Sequence, residues 1–169
     1  MYTVSTLIRP DTKMALQQEL GLKKPITFMQ HEALLNVYYT ASRLKKKADQ
    51  FFAPFGLTDV QFNLMMLVKH QSGDEDGLSQ AQLSSMMLVN RANITSLVDR
   101  MEKASLVERT DSPTDRRYNI VRLTAKGRKL LDEVEPLYAK EVRKVMAVLK
   151  DPDQKKLIAM LERIRSNLD

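Results

Sequence analysis

Between residues 78 and 127 the hydrophobic period of the chain changes twice, and this order of elements limits the fold more than any other feature. Ser79 precedes Gln82 by three residues. This is the spacing of a capping box, in which the hydroxyl accepts an orphan backbone N–H and the Gln side chain reaches back. Leu78 before the cap and Leu83 four residues after it fit a hydrophobic staple, and Leu83 with Met86 and Met87 supplies a short apolar stripe. Asn90 is the next cap candidate. Behind it Ile94, Leu97, Val98 and Met101 recur at i, i+3, i+4 and i+7, which defines one buried helical face. The period then drops towards two. Residues 106–110 and 118–123 are rich in β-branched side chains, and the polar run 111–117 between them holds Asp, Ser and Pro, the residues of turns. Thr124 then caps a further helix, with Gly127 in its first turn for close backbone approach. Two short helices, a hairpin and a third helix, in that order, spell a winged helix-turn-helix with a two-stranded wing.

The outward face of the second short helix carries Arg91, Asn93, Thr95, Ser96 and Asp99. Arg pairs bidentately with guanine and Asn with adenine, so this chemistry suits a helix lying in a major groove. Any solvated helix face is polar, however, and the hairpin adds the stronger signal. Arg116 and Arg117 stand together in its turn, which does little for stability but suits a phosphate backbone or a narrow minor groove. Asp115, two residues before Arg117, has the placing to orient that guanidinium through a charge-assisted hydrogen bond; the competing reading is a weak surface ion pair on a solvated loop. Residues 78–130 hold ten Lys/Arg against five Asp/Glu, a net +5 out of the chain's +6 from under a third of its length. A basic excess centred on a groove-reading module is the electrostatic footprint expected for nucleic acid.

The run Asp115, Arg116, Arg117, Val121, Arg122, Leu123, Thr124 and Gly127 is similar to the wing signature of the MarR (multiple antibiotic resistance regulator) family. Residues 90–103 resemble that family's recognition helix, and Leu106, Val107 and Arg109 fit its first wing strand. Gly56, Leu57 and Thr58, with Gln61 and Phe62, fit the start of its second core helix. The resemblance spans roughly residues 30–165 in the correct order. It departs at Ser105, where relatives commonly carry Gly; the departure implies either a turn that avoids the left-handed backbone or one under mild strain.

The resemblance implies a homodimer that reads a pseudo-palindromic operator in double-stranded DNA as a transcription regulator, most often a repressor. Asn90, Arg91, Asn93, Thr95 and Ser96 would meet bases or adjacent phosphates. Arg117, steadied by Asp115, would enter the minor groove, and Ser79, Gln80 and Arg116 would hold the backbone. In relatives, small aromatic or phenolic compounds bind between the dimer helices and the winged domain. The corresponding residues here are Tyr38, Tyr39, Arg43, Phe55, Phe62, Met65 and Met66, a mixed aromatic and Met set whose one Arg suits an aromatic carboxylate. The competing reading is ordinary core, with Arg43 an interhelical salt-bridge partner. A winged module that binds protein, or packs on DNA without sequence preference or effector, is the alternative; the charge excess argues against the protein-binding form.

The flanking sequence supports a mainly helical α+β chain. Residues 1–24 read as an N-terminal arm or short helix, with Asp11 as cap, Leu16 and Leu20 apolar and Gly21 as stop. Residues 25–53 read as a long helix from Pro25 to Phe52, ended by Pro54 and Gly56. Residues 54–124 form the winged domain, whose first helix opens on a second capping box, Thr58 with Gln61, and is apolar nearly all round. Residues 125–169 give two further helices, the first with a kink expected at Pro136 inside it and the second restarted at Asp151 as cap with Pro152 behind it. The long terminal helices have apolar stripes larger than one wing needs. Their period permits dimerisation and the family resemblance implies it.

Several classes are excluded. The chain has no Cys, which removes disulfides, thiolate metal sites and cysteine-based peroxide sensing, and only His31 and His70, far apart, so no His-rich metal site is expected and only a mixed carboxylate site stays open. No apolar run approaches the roughly 20 residues of a membrane span, and the N-terminus lacks a signal-peptide core, so a cytoplasmic protein is expected. No nucleophile–base constellation, Gly-rich phosphate loop or spaced ligand cluster points to an enzyme, and none of the residues calls for a cofactor.

Overall fold

The computed structural model describes residues 16–73, 76–87, 91–111 and 119–168, with the side chains of Arg91 and Ala92 excepted. The chain divides into two compact units, Met1–Ala48 and Asp49–Asp169.

The first unit holds the short helix α1 (Leu16–Glu19) and most of α2 (Met29–Phe52). Gly21 closes α1 with a positive φ of 63°, its N–H donating to Gln18 O and that of Leu22 to Gln17 O. This is the paired closure that satisfies the last helical carbonyls, and it needs a left-handed residue. Asp11, the expected cap, lies outside the described residues. α2 begins four residues later than Pro25 suggested; β-branched Ile26 and Thr27 resist the helix there. Leu34, Val37, Tyr38 and Leu44 on α2 are exposed.

The second unit is the winged domain with its C-terminal helices. After α2 a 3-10 turn (Ala53–Phe55) contains Pro54 and ends on Gly56 at φ 66°. Thr58 then opens α3 (Asp59–Gln71), and both hydrogen bonds of its capping box with Gln61 are made. Phe62, Leu64, Met65 and Val68 are buried, whereas Val60 is 39% exposed, so α3 is less evenly apolar in situ than in sequence. It packs against the long helix α6 (Ala125–Met146) and against the sheet.

Three antiparallel strands form that sheet in the order β1-β3-β2, with β1 Leu78–Ser79, β2 Val107–Asp111 and β3 Asn119–Leu123. The wing proper is the expected two-stranded pair, registered from Val107 opposite Leu123 to Asp111 opposite Asn119. β1, absent from the sequence reading, adds Leu78 opposite Val121 and Ser79 opposite Ile120. Val107, Ile120, Val121 and Leu123 are buried under the helices. Helix α4 (Gln80–Met86) follows β1 directly, with Ser79 serving as both strand end and N-cap. Leu78 and Leu83 are buried as a staple requires, but Met86 is 43% exposed because α4 stops there, before the expected stripe is complete.

Helix α5 (Arg91–Lys103) buries Ile94, Leu97, Val98 and Met101, the expected face. Removing each such side chain from water is worth roughly 1.5–3 kcal/mol. Its exit decides between the two readings of Ser105. Ser105 does not avoid the left-handed region but sits at φ 56°. The reason is closure: Ser105 N donates to Glu102 O and Leu106 N to Met101 O, the two bonds that terminate a helix in this way. Ser105→Gly is therefore expected to stabilise the protein by about 1 kcal/mol, since a side chain in this conformation carries a penalty of that order. Chemical denaturation checks it, and a midpoint equal to or below that of the parent removes the argument.

α6 runs without a break through Pro136, and Thr124 caps it by accepting from Gly127 N. Helix α7 (Asp151–Arg165) begins on Lys150 as N-cap, one residue before the Asp151 expected in that role, with Pro152 in its first turn. Leu157, Ile158, Met160 and Ile164 on α7 and Leu137 and Val142 on α6 are exposed apolar residues. Among the described residues no single helix is long and apolar enough to cross a membrane.

Candidate nucleic-acid interface

α4 and α5 pack against each other and β2 packs on α5, so α5 is held between α4 and the first wing strand. On α5 Asn93, Thr95, Ser96 and Asp99 are exposed, opposite the buried stripe. Asn90, Asp115, Arg116 and Arg117 lie outside the described residues. Arg91 is the first residue of α5, and its side chain lies outside them as well.

The expected backbone-holding pair at the start of α4 divides. Ser79 is half-buried and its hydroxyl accepts from Gln82 N at 3.2 Å, so its oxygen serves as a cap. Gln80, the first residue of α4, accepts through Oε1 from Thr95 Oγ1 at 2.8 Å. That bond ties α4 to the middle of α5, and it commits one end of each side chain to the protein.

The largest feature that sequence reasoning missed is on the other flank of α5. The Arg109 guanidinium, from β2, donates to Asp99 Oδ1 at 2.6 Å through Nη2 and to Glu102 Oε2 through Nη1. Nη2 also reaches Thr95 O at 3.5 Å, and the Arg109 backbone N–H donates to Glu102 Oε1 at 2.9 Å. A strand residue thus grips two successive turns of α5. The only sequence signal was an Asp and a Glu three residues apart on a helix, followed by an Arg beyond the next turn.

The corner after α5 is equally well bonded. Thr124 Oγ1 donates to Ser105 O at 2.7 Å while accepting from Gly127 N at 3.0 Å, and Lys126 Nζ donates to Ala104 O at 2.8 Å. The carbonyls of Ala104 and Ser105, just beyond the end of α5, are therefore satisfied from the start of α6, with a cation where the helix dipole favours one.

Away from this face, Lys69 of α3 donates to Asp132 at 2.7 Å and Glu135 at 2.8 Å on α6, and His70 pairs with Glu135 at 2.7 Å. The Asp132 and Glu135 hydrogen bonds raise the Lys69 pKa, while that of Lys69 holds the Glu135 carboxyl below its ordinary value. Both helices are thereby pinned on their solvent side.

Of the expected effector residues, Tyr38, Tyr39 and Arg43 belong to the first unit, and Phe55, Phe62, Met65 and Met66 to the second. Phe62 and Met65 are buried core. In the second unit Phe62 lies 4.8 Å from Tyr138 and 4.6 Å from Phe52 between ring centroids, and Phe51 adds a contact to Phe55 at 5.7 Å. Tyr138 completes this aromatic cluster, a role that its place in a helical stripe does not reveal; burial raises its pKa. Among the described residues no group of three or more His, Asp or Glu stands where it could hold a metal ion.

A family model described as MarR family matches residues 55–117. The sequence is 32% identical over 112 residues to the HTH-type transcriptional regulator MhqR of Bacillus subtilis, covering 66% of this chain and 74% of that one. Among solved structures, the S. aureus MepR–DNA complex is similar with a TM-score of 0.71 at 24% identity, over 80% of this chain and 96% of that one. CouR from Rhodococcus jostii RHA1, bound to p-coumaroyl-CoA, is similar with a TM-score of 0.71 at 21% identity, over 82% and 95%.

Proposed function

This chain belongs to the MarR family, whose members are transcription regulators and not enzymes, and from that membership we propose that it is a cytoplasmic homodimeric repressor. It holds a pseudo-palindromic operator and releases it when a small aromatic carboxylate or phenol binds. The observation that carries the reading is the outward face of α5. Asn93, Thr95 and Ser96 are exposed there, on a helix braced from both sides, in a stretch with a net charge of +5. Bracing matters because base recognition is lost when donors and acceptors are misplaced by fractions of an ångström.

In this reading α5 enters the major groove, with Asn90, Arg91, Asn93, Thr95 and Ser96 at bases or neighbouring phosphates. Arg117, oriented by Asp115, reaches the minor groove while Arg116 and Gln80 hold the backbone. The exposed apolar residues of α2, α6 and α7 supply surface for a twofold partner, and twofold pairing places half-sites about one helical turn apart. The MepR–DNA complex supports the DNA partner, and the ligand in CouR supports an effector. The aromatic cluster around Tyr138 is an apolar environment that suits the ring of one. Such a ligand acts only through different affinities for the DNA-bound and free forms.

A salt titration of fluorescence anisotropy, comparing the duplex upstream of this protein's own gene with a scrambled duplex, tests the proposal. The expected result is a complex of two chains per duplex that survives at about 0.15 M salt on the first duplex only, and that an aromatic acid from a screening panel dissociates. Equal, salt-labile binding to both duplexes favours the non-specific alternative. Calorimetry giving the same ligand affinity with and without DNA removes the effector part alone.

A further inference from the structure

We infer that Arg109 is a positioning residue of the reading surface: it masks the charge of Asp99 and Glu102 and locks the reader helix to the wing, without itself touching DNA. The inference rests on the DNA-binding reading and assigns roles which that reading leaves open.

The geometry is specific. Taking 100° per residue, Ser96, Asp99 and Lys103 lie along the middle of the face opposite Ile94, Leu97, Val98 and Met101. Asp99 is therefore on the outward surface, its side chain 49% exposed, one turn beyond Thr95 and Ser96. A bare carboxylate there repels phosphates, or else seeks a cytosine amino group. Arg109 withdraws it from both: Asp99 Oδ1 lies 2.6 Å from Nη2, and Glu102 offers one oxygen to Nη1 and the other to the Arg109 backbone N–H. The guanidinium is itself only 21% exposed, with both terminal nitrogens engaged, so it is spent on the protein. Because β2 leads into the wing turn, the same bonds set the angle between reader and wing. Planar bidentate geometry gives Arg this role and denies it to Lys.

The test uses the full-length protein on the upstream and scrambled duplexes, with Arg109→Gln, Arg109→Lys and the triple variant Asp99→Asn/Glu102→Gln/Arg109→Gln. Arg109→Gln is expected to weaken binding to both duplexes by roughly ten- to a hundredfold at about 0.1 M salt, because two carboxylates are released towards phosphates. The triple variant, with no charge left to mask, is expected to recover most of that loss on the scrambled duplex and less on the upstream one, where the locked angle also counts. The salt slope of the triple variant should match the parent's. Arg109→Lys is expected between the parent and Arg109→Gln, and it keeps the comparison readable if Arg109→Gln melts below the assay temperature. No recovery in the triple variant, no loss in Arg109→Gln, or a salt slope shallower by about 0.9 in both Gln variants, the mark of one lost phosphate contact, overturns the inference. If the parent fails to distinguish the two duplexes, the regulator reading falls, while the masking is still decided on the scrambled one.

Discussion

Gly127→Ala is expected to destabilise the protein by about 3 kcal/mol or more, and Gly127→Val to leave it unfolded at room temperature. A Cβ at residue 127 would stand 2.9 Å from the Leu106 carbonyl carbon, 3.2 Å from its Cα and closer still to its oxygen. These are backbone atoms, so no rotamer change relieves the clash. They are also pinned: Leu106 N donates to Met101 O, and Leu106 O accepts from Thr124 N at 3.2 Å. Ser105 and Thr124 close the same corner from the other side. Relief therefore means prising α6 from the α5–β2 corner and breaking several bonds, against a total stability of only about 5–15 kcal/mol for a domain of this kind. Gly77→Ala provides the scale, since its Cβ would meet Val121 O at 2.8 Å and the movable Arg122 side chain at 2.9 Å, so a smaller loss is expected there. Urea and thermal unfolding followed by far-ultraviolet circular dichroism settle the point. A Gly127→Ala midpoint within a few degrees of the parent would mean that the corner yields more easily than its bonding implies.

The same corner shows which parts of the fold were legible in sequence. Caps were, because a capping box is a local contract between two residues three apart, and both Thr58 with Gln61 and Ser79 with Gln82 form it. The core face of α5 was legible because four residues at helical spacing need no knowledge of their partners. Gly127 was read as a place of close approach, though not what approached it. Features created by closure across sequence were not legible. β1 is two residues long, too short to show a period, and exists because β3 lies beside it. Ser105 is left-handed because the two terminal bonds of α5 require it, which outweighs its own preference.

The candidate site divides in the same way. The polar face of α5 follows from its apolar one by subtraction, so Asn93, Thr95 and Ser96 were found where they stand. Arg109 was seen only as part of a strand pattern. Its partners lie seven and ten residues back across a turn, and which strand residue faces the helix depends on the register of β2 against β3. Gln80 and Thr95 were each assigned to DNA, but their hydrogen bond to one another gives both a second task. The effector set was drawn from a family likeness laid over helical spacing. Spacing alone does not separate an aromatic that lines a cavity from one that fills a core, and the burial of Phe62 and Met65 fits both.

Removing Arg117 and removing Asn93 are expected to injure DNA binding in different ways, and the contrast tests the division of labour between wing and reader helix. Arg117 and its neighbour Asp115 lie outside the described residues, so their expected effect follows from charge and position in the sequence. A guanidinium inserted among phosphates contributes to every duplex alike and releases counterions when it binds. Arg117→Ala should therefore lower affinity for upstream and scrambled duplexes in similar proportion, and flatten the dependence of log K on log salt by about 0.9. Asn93 is exposed on the face of α5 that a base edge would meet, and its amide both donates and accepts, as the edge of adenine does. Asn93→Ala should cost roughly 1–3 kcal/mol on the correct operator, little on the scrambled duplex, and leave the salt slope in place. Arg91→Ala belongs with Asn93→Ala if its guanidinium reads guanine, and with Arg117→Ala if it holds a phosphate, so its slope decides between the two roles. Anisotropy titrations at four or five salt concentrations give all of these numbers from one set of proteins. Identical losses on both duplexes for all three variants would mean that α5 reads charge and shape alone, and that what selectivity the protein has comes from deforming DNA.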